Sequence, residues 1–162
     1  MGRTQNELPT GPVARMEEQN SGPTGIAAGP VLLYDGLCGF CDWTVQFVLA
    51  RDRAAVMRFA PLQGDFATQL IARHPRLQSI DSLILVETEA GAAERISVRS
   101  EAVLRIGELI GGGWQHARLL RIVPRPIRDL AYNAFARIRY RVFGHYENCP
   151  IPAAEVRTRF IA

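Results

Sequence analysis

Apolar positions follow two rhythms along the chain. Pro30–Tyr34 (PVLLY) is a continuous apolar run closed by Asp35-Gly36, which predicts a short buried strand ending in a turn. From Gly39 to about Arg51, Phe40, Val45, Phe47, Val48 and Leu49 recur close to helical spacing. Val56–Ala60 (VMRFA) alternates as a second strand would. Gly64–His74 sets Phe66, Leu70 and Ile71 on one helical face, and that helix must stop before Pro75, because the residue ahead of a proline disfavours the α region. Ser82–Glu87 (SLILVE) and Arg95–Arg99 (RISVR) predict a third and a fourth strand, joined through a glycine-containing loop. Ser100 then stands as an N-cap before Ala102, Val103, Ile106 and Ile110, and Gly111-Gly112-Gly113 ends that helix. Trp114–Gly144 adds helical segments broken at Pro124 and Pro126.

The resulting order, β-α-β-α-β-β-α with additional C-terminal helices, implies an α/β sheet with parallel pairing early and an antiparallel hairpin late. It is the order of thioredoxin-like domains. Residues 1–29 lack this patterning: they are rich in Gly, Pro, Thr, Gln, Asn and Glu, and too poor in apolar surface to offset their ordering entropy. A disordered tail is expected there, with one domain over 30–162.

Composition narrows the function. Of 162 residues nearly half are apolar, enough for one real core. Three cysteines are too few, and odd in number, for a secreted disulfide scaffold. The N-terminus has no continuous apolar segment resembling a signal peptide, and nothing approaches the roughly 18 apolar residues that span a bilayer. A reducing cytoplasm is the expected compartment, and there a close cysteine pair points to redox chemistry or metal.

That pair is Cys38 and Cys41, in D-G-L-C-G-F-C between a strand and a helix. Two intervening residues on a first helical turn let the sulfurs approach disulfide distance, about 2 Å. Unpaired N–H groups and the positive end of the helix dipole favour thiolate there, and the thiolate is the nucleophile. Cys38, placed first and expected at the exposed end, takes the attacking role; Cys41, one turn inward, resolves the mixed disulfide. Asp35 has two readings. It is a turn residue of Asp-Gly, or a carboxylate that opposes thiolate formation nearby and accepts the Cys41 proton during resolution. Phe40, between the cysteines, is either core or an exposed docking residue.

VLLYDGLCGFC, DSLILV, RSEAVLRI, VPRPIRD, RIRYRVFG and a late Cys-Pro together resemble the DCC-type thiol-disulfide oxidoreductases, over about Pro30 to Phe160. The Asp-Cys-Cys pattern of that family matches Asp35, Cys38 and Cys41. The resemblance implies a thioredoxin-like fold, disulfide oxidoreductase activity and an active-site role for Asp35. The chain departs from familiar thioredoxins, with Leu37 before the pair, Gly39-Phe40 inside it and Leu32 where they carry a buried Asp. Laying IDSLILV on their third strand puts Asp81-Ser82 where their cis-proline sits. There the two either face the sulfurs and contact substrate or form an ordinary pre-strand turn.

Cys149 is read as an anchor of the C-terminal segment or as a further thiol. His74, His116 and His145 show no ligand spacing with the cysteines, and no metal or cofactor is expected. The nineteen basic residues are all Arg, and seven (118, 121, 125, 128, 137, 139, 141) face a single acid, Asp129, between Trp114 and Tyr146. Their stems can cover the sheet, or the segment can meet an anionic membrane or an acidic partner. No nucleic-acid motif accompanies the charge. The expected function is dithiol–disulfide exchange with a disulfide-containing protein or a small thiol. The alternative is a non-catalytic thioredoxin-like module docking an anionic membrane surface through its Arg-rich helices.

Overall fold

A computed structural model describes residues 29–80, 82–88, 93–147 and 152–161. The tail expected over 1–29 lies outside the described residues except for Gly29. Four strands, β1 (Val31–Tyr34), β2 (Arg58–Pro61), β3 (Ile84–Glu87) and β4 (Arg95–Val98), form one sheet in the order β2-β1-β3-β4. β1 pairs parallel with β2 and antiparallel with β3, and β3 pairs antiparallel with β4. This mixed α/β architecture is consistent with a thioredoxin-like fold, and its pairing is the one the element order implied.

Alternation along the strands sends side chains to two faces. On one face Leu32, Tyr34, Phe59, Leu83 and Leu85 pack with Val45 and Val48 of α1 (Gly39–Arg51) and Ala102 and Ile106 of α3 (Arg99–Ile110). On the other, Val31, Leu33, Ala60, Ile84 and Val86 pack with Phe66, Ala67 and Leu70 of α2 (Asp65–Arg73). Covered on both sides, β1 is apolar throughout, which is why it reads as a run rather than an alternation. Leu70 is fully buried at the centre of the α2 face. Leu70→Ala is expected to cost about 2–5 kcal/mol in urea unfolding, from lost transfer energy plus the cavity left behind.

Three expectations shift. The third helix begins at Arg99 with Val98 as its N-cap, and Ser100 donates its hydroxyl to Asp129 Oδ1 rather than to the helix backbone. Val103 is 44% exposed, while Leu104 turns inward in its place. Pro126 breaks nothing: it lies in the first turn of α4 (Arg125–Phe143), where an N–H would have no intrahelical partner anyway. Between α3 and α4 runs a 3₁₀ stretch, Gly112–Ile122.

The C-terminal end returns to the sheet. Ile161 N–H donates to the Phe59 carbonyl (2.8 Å) and Arg159 reaches both the Met57 carbonyl and the buried Asp52 carboxylate. Phe160 thereby lies against Phe59 and Tyr34.

Candidate active site

β1 ends at Tyr34, and Asp35 turns the chain. Leu37 N–H donates to Asp35 Oδ1 (3.0 Å) and Cys38 N–H to the Asp35 carbonyl (3.2 Å), while Gly36 N–H donates to Gln63 Oε1 (3.2 Å), so Asp35 and Gln63 together hold the loop between strand and helix. Cys38 is the N-cap of α1, with extended backbone (φ −99°, ψ 118°), and Cys41 lies in the first turn. The spacing thus places both sulfurs as expected, side by side and hydrogen-bonded to each other at the positive end of a helix.

The expected exposure of Cys38 is corrected: both cysteines are buried, at 0% and 1% exposure. The cover is the segment that follows α4. Gly144, at φ +81° and ψ 170°, a conformation open essentially to glycine alone, turns the chain back over the dithiol. Gly39 N–H donates to the Gly144 carbonyl (3.3 Å), Tyr146 N–H donates to the Leu37 carbonyl (2.8 Å), and His145 pairs with Cys38 in an antiparallel bridge. This strap fits because residue 39 has no side chain: a Cβ there would lie 2.2 Å from the Phe143 carbonyl oxygen.

Burial governs the chemistry of the inner thiol. Desolvation, then the neighbouring Cys38, pushes Cys41 up to about 12, against a hydrogen bond from the Asp35 backbone N–H and the charge of Arg139, which pull it down. Cys41 therefore holds its proton at neutral pH.

Asp35 is buried, and its carboxylate oxygens are already engaged. Oδ1 accepts from Leu37 N–H and from Gln63 Nε2 (3.0 Å); Oδ2 accepts from the Tyr140 hydroxyl and lies 3.5 Å from Arg139 Nη2. Arg139 also donates to the Tyr140 oxygen at 2.8 Å. Burial, then the bond to Asp35, pushes the Tyr140 phenol up to about 12, so it stays a donor. It is the backbone N–H of Asp35, not its carboxylate, that meets Cys41.

Ser82 is buried just before β3 and bonds the Tyr132 hydroxyl. Asp81 and Cys149 lie outside the described residues. Phe40 is half-buried, its ring 4.6 Å from Phe135 and 5.2 Å from Phe143. It also lines an apolar cavity of about 290 Å³ with Trp43, Phe47, Leu104, Trp114 and Leu120. Among the described residues no group of three or more His, Cys, Asp or Glu is placed to hold a metal.

Sequence reading did not find Arg139, Tyr140, Tyr132, Gln63 or the strap. One signal was available: Phe135, Arg139 and Phe143 recur every four residues, so an arginine shares a helix face with two phenylalanines. Among the described residues, C-terminal arginines meet carboxylates: Arg121 and Arg128 at Glu101, Arg125 at Asp129 and Arg139 at Asp35. No helix of the described residues is long and apolar enough to cross a membrane.

Comparison with known proteins adds to this geometry. The sequence profile of the DCC1-like thiol-disulfide oxidoreductases matches residues 32–145. The chain is 30% identical over 132 residues to the uncharacterized protein YuxK of Bacillus subtilis (strain 168), covering 81% of this chain and 93% of YuxK. It is 36% identical over 124 residues to a chloroplastic DCC family protein of Arabidopsis thaliana, covering 75% and 69% of the two chains. No solved structure matches the chain.

Proposed function

The chain belongs to the DCC1-like thiol-disulfide oxidoreductase family, and from that premise we propose that it exchanges electrons with protein or small-molecule disulfides through a Cys38–Cys41 dithiol. The observation that carries the reading is the juxtaposition of the two sulfurs at the α1 N-terminus, beside the buried Asp35 carboxylate and the buried Arg139 guanidinium. In the reductive direction the Cys38 thiolate attacks a disulfide, one S–S bond forms as another breaks, and the leaving thiolate takes the electron pair and a proton. Once Cys38 is bound as a mixed disulfide its charge is gone, and with it one of the two main causes that hold the proton on Cys41. Cys41 then loses that proton to solvent or the departing thiolate and attacks Cys38 Sγ. The substrate leaves with both electrons, and an external thiol restores the dithiol.

In this reading Asp35 is a positioning residue, its oxygens engaged with Leu37, Gln63 and Tyr140. Ser82 acts through Tyr132, and Phe40 offers an apolar wall to substrate at the cavity mouth. A reducing compartment such as the cytoplasm suits a pair kept as free thiols. Buried sulfurs require the strap over Gly144–Tyr146 to move aside for any disulfide larger than the gap it leaves.

The test is a trap. Cys41→Ser is expected to accumulate a mixed disulfide through Cys38 when mixed with a disulfide-bonded protein such as oxidised insulin, read by mass spectrometry of the non-reduced complex. Absence of any adduct on Cys38, with the variant folded, contradicts the reading. A second reading, docking on an anionic membrane, draws on exposed Ile127, Leu130, Ile138 and Val142 beside Arg137 and Arg141 on α4. Salt-sensitive co-sedimentation with anionic liposomes that survives loss of both cysteines separates the two.

A further inference from the structure

We propose that a polar cavity between α4 and the start of α3, headed by Arg99 and Arg137, holds the carboxylate of a small anionic disulfide for exchange at Cys38. The inference rests on the thiol-disulfide reading above and names the substrate class of that site: a low-molecular-weight disulfide that carries carboxylates.

The cavity has a volume of about 350 Å³ and is lined by Arg99, Asn133, Ala136, Arg137 and Tyr140. The last four stand at i, i+3, i+4 and i+7, on one face of α4. Arg99, the first residue of α3, closes the cavity from the other side, and its N–H donates to the Leu83 carbonyl (3.3 Å). Its backbone lies at φ +53°, in the left-handed region, which an arginine has no local reason to adopt. Such strain persists only where the surroundings impose it, and it collects at functional sites.

Two cations without an anion make the site. Arg99 and Arg137 meet no carboxylate among the described residues, whereas Arg121, Arg125 and Arg128 nearby in sequence are all paired. Arginine keeps its proton in proteins, so two guanidinium groups on one cavity repel each other until an anion enters. Each presents a planar fork of N–H donors that matches a carboxylate. Asn133 is half-buried and adds a neutral amide, and the short side chain of Ala136 leaves the space open.

Tyr140 joins this cavity to the dithiol. It packs against the core cluster that contains Cys38 and Cys41, and its hydroxyl donates to the Asp35 carboxylate. Its ring lies 5.3 Å from that of His145, the strap residue paired with Cys38. Leu83, which accepts from Arg99, belongs to the same core cluster. A disulfide anchored here by its carboxylate is therefore held at the flank of the strap, one ring contact from the residue that covers Cys38. Anchoring removes freedom that a neutral disulfide must still lose on attack. The exchange is the one set out above. Cys38 Sγ bonds to one substrate sulfur as the substrate S–S bond breaks, and the first carboxylate-bearing thiolate leaves with the electron pair and takes up a proton. The second leaves in the same way when Cys41 closes the Cys38–Cys41 disulfide.

In the test, the reduced full-length chain is mixed with glutathione disulfide, which carries carboxylates, or with neutral bis(2-hydroxyethyl) disulfide. Formation of the Cys38–Cys41 disulfide is followed by acid quench, alkylation and mass spectrometry. Arg99→Gln combined with Arg137→Gln is expected to cut the ratio of the first rate to the second about tenfold, the order for losing two charge-assisted contacts at a half-open site. Arg99→Gly covers a failure of that variant to fold: glycine accepts φ +53° without strain, so stability in urea is expected to hold or rise while the rate ratio falls. A merely structural arginine would lose stability and leave the ratio alone. Folded variants with the wild-type ratio overturn the assignment. Calorimetry with S-methylglutathione, which has neither thiol nor disulfide, reads the cavity apart from the chemistry. Binding that weakens about tenfold in the double variant supports the proposal, and inorganic phosphate binding as tightly as S-methylglutathione overturns it. A wild-type chain oxidised by neither disulfide overturns the functional reading, and the calorimetric result then decides the cavity by itself.

Discussion

Cys38→Ser is expected to bring reduction of a model disulfide by the protein, with dithiothreitol as electron source, down to the uncatalysed background. A hydroxyl cannot form the mixed disulfide, and the remaining thiol of the pair is poorly placed to take over. Cys41 is buried, and burial is the largest of the causes that push its thiol up to about 12. That cause survives the substitution. Since the thiolate is the nucleophile, the loss should be at least about a hundredfold. Stopped-flow or turbidity measurement of insulin reduction reads it, with circular dichroism to show that the fold persists. A variant retaining more than a tenth of wild-type rate would move the nucleophile elsewhere.

The second large effect concerns access. Gly39→Val places a branched side chain where even a Cβ would stand 2.2 Å from the Phe143 backbone oxygen. A backbone atom held at the end of α4 cannot swing away as a side-chain tip can, so the strap must lift. The bond from Gly39 N–H to the Gly144 carbonyl goes with it, and the pairing of His145 with Cys38 loosens. Alkylation of Cys38 by iodoacetamide is expected to accelerate by tenfold or more, with a stability cost of about 1–3 kcal/mol from overpacking. Leu70→Ala serves as control, because it destabilises the opposite face of the sheet and leaves the strap in place. Equal alkylation rates in Gly39→Val and wild type would show that the strap does not gate the sulfurs.

Much of the scaffold was legible because its residues obey local rules. The apolar run at Val31–Tyr34 has no period because both faces of β1 are covered, and the Gly64-to-Pro75 interval left α2 no room to be anything else. The two cysteines were legible for the same reason: a two-residue spacing at a strand-to-helix junction is a local geometry. What surrounds them is not local. Tyr140 reaches Asp35 across 105 positions and Arg139 meets it across nearly as many. In Arg137-Ile138-Arg139-Tyr140-Arg141 every second residue is an arginine, and only packing against α1 tells the buried one from its exposed neighbours. The burial of Cys38 was illegible on the same ground, since a helix end is exposed unless a distant segment covers it. Here a glycine at 144 and another at 39 permit that cover.

The most direct test of dithiol cycling is the redox state of the cysteines themselves. The purified chain is equilibrated over a range of glutathione ratios, quenched with acid, alkylated and digested, and the peptide holding residues 38 and 41 is weighed. A single two-electron transition that consumes both thiols together and links Cys38 to Cys41 is the expected result. Two cysteines that stay alkylatable under every oxidising ratio, or that oxidise only to separate glutathione adducts, would contradict it.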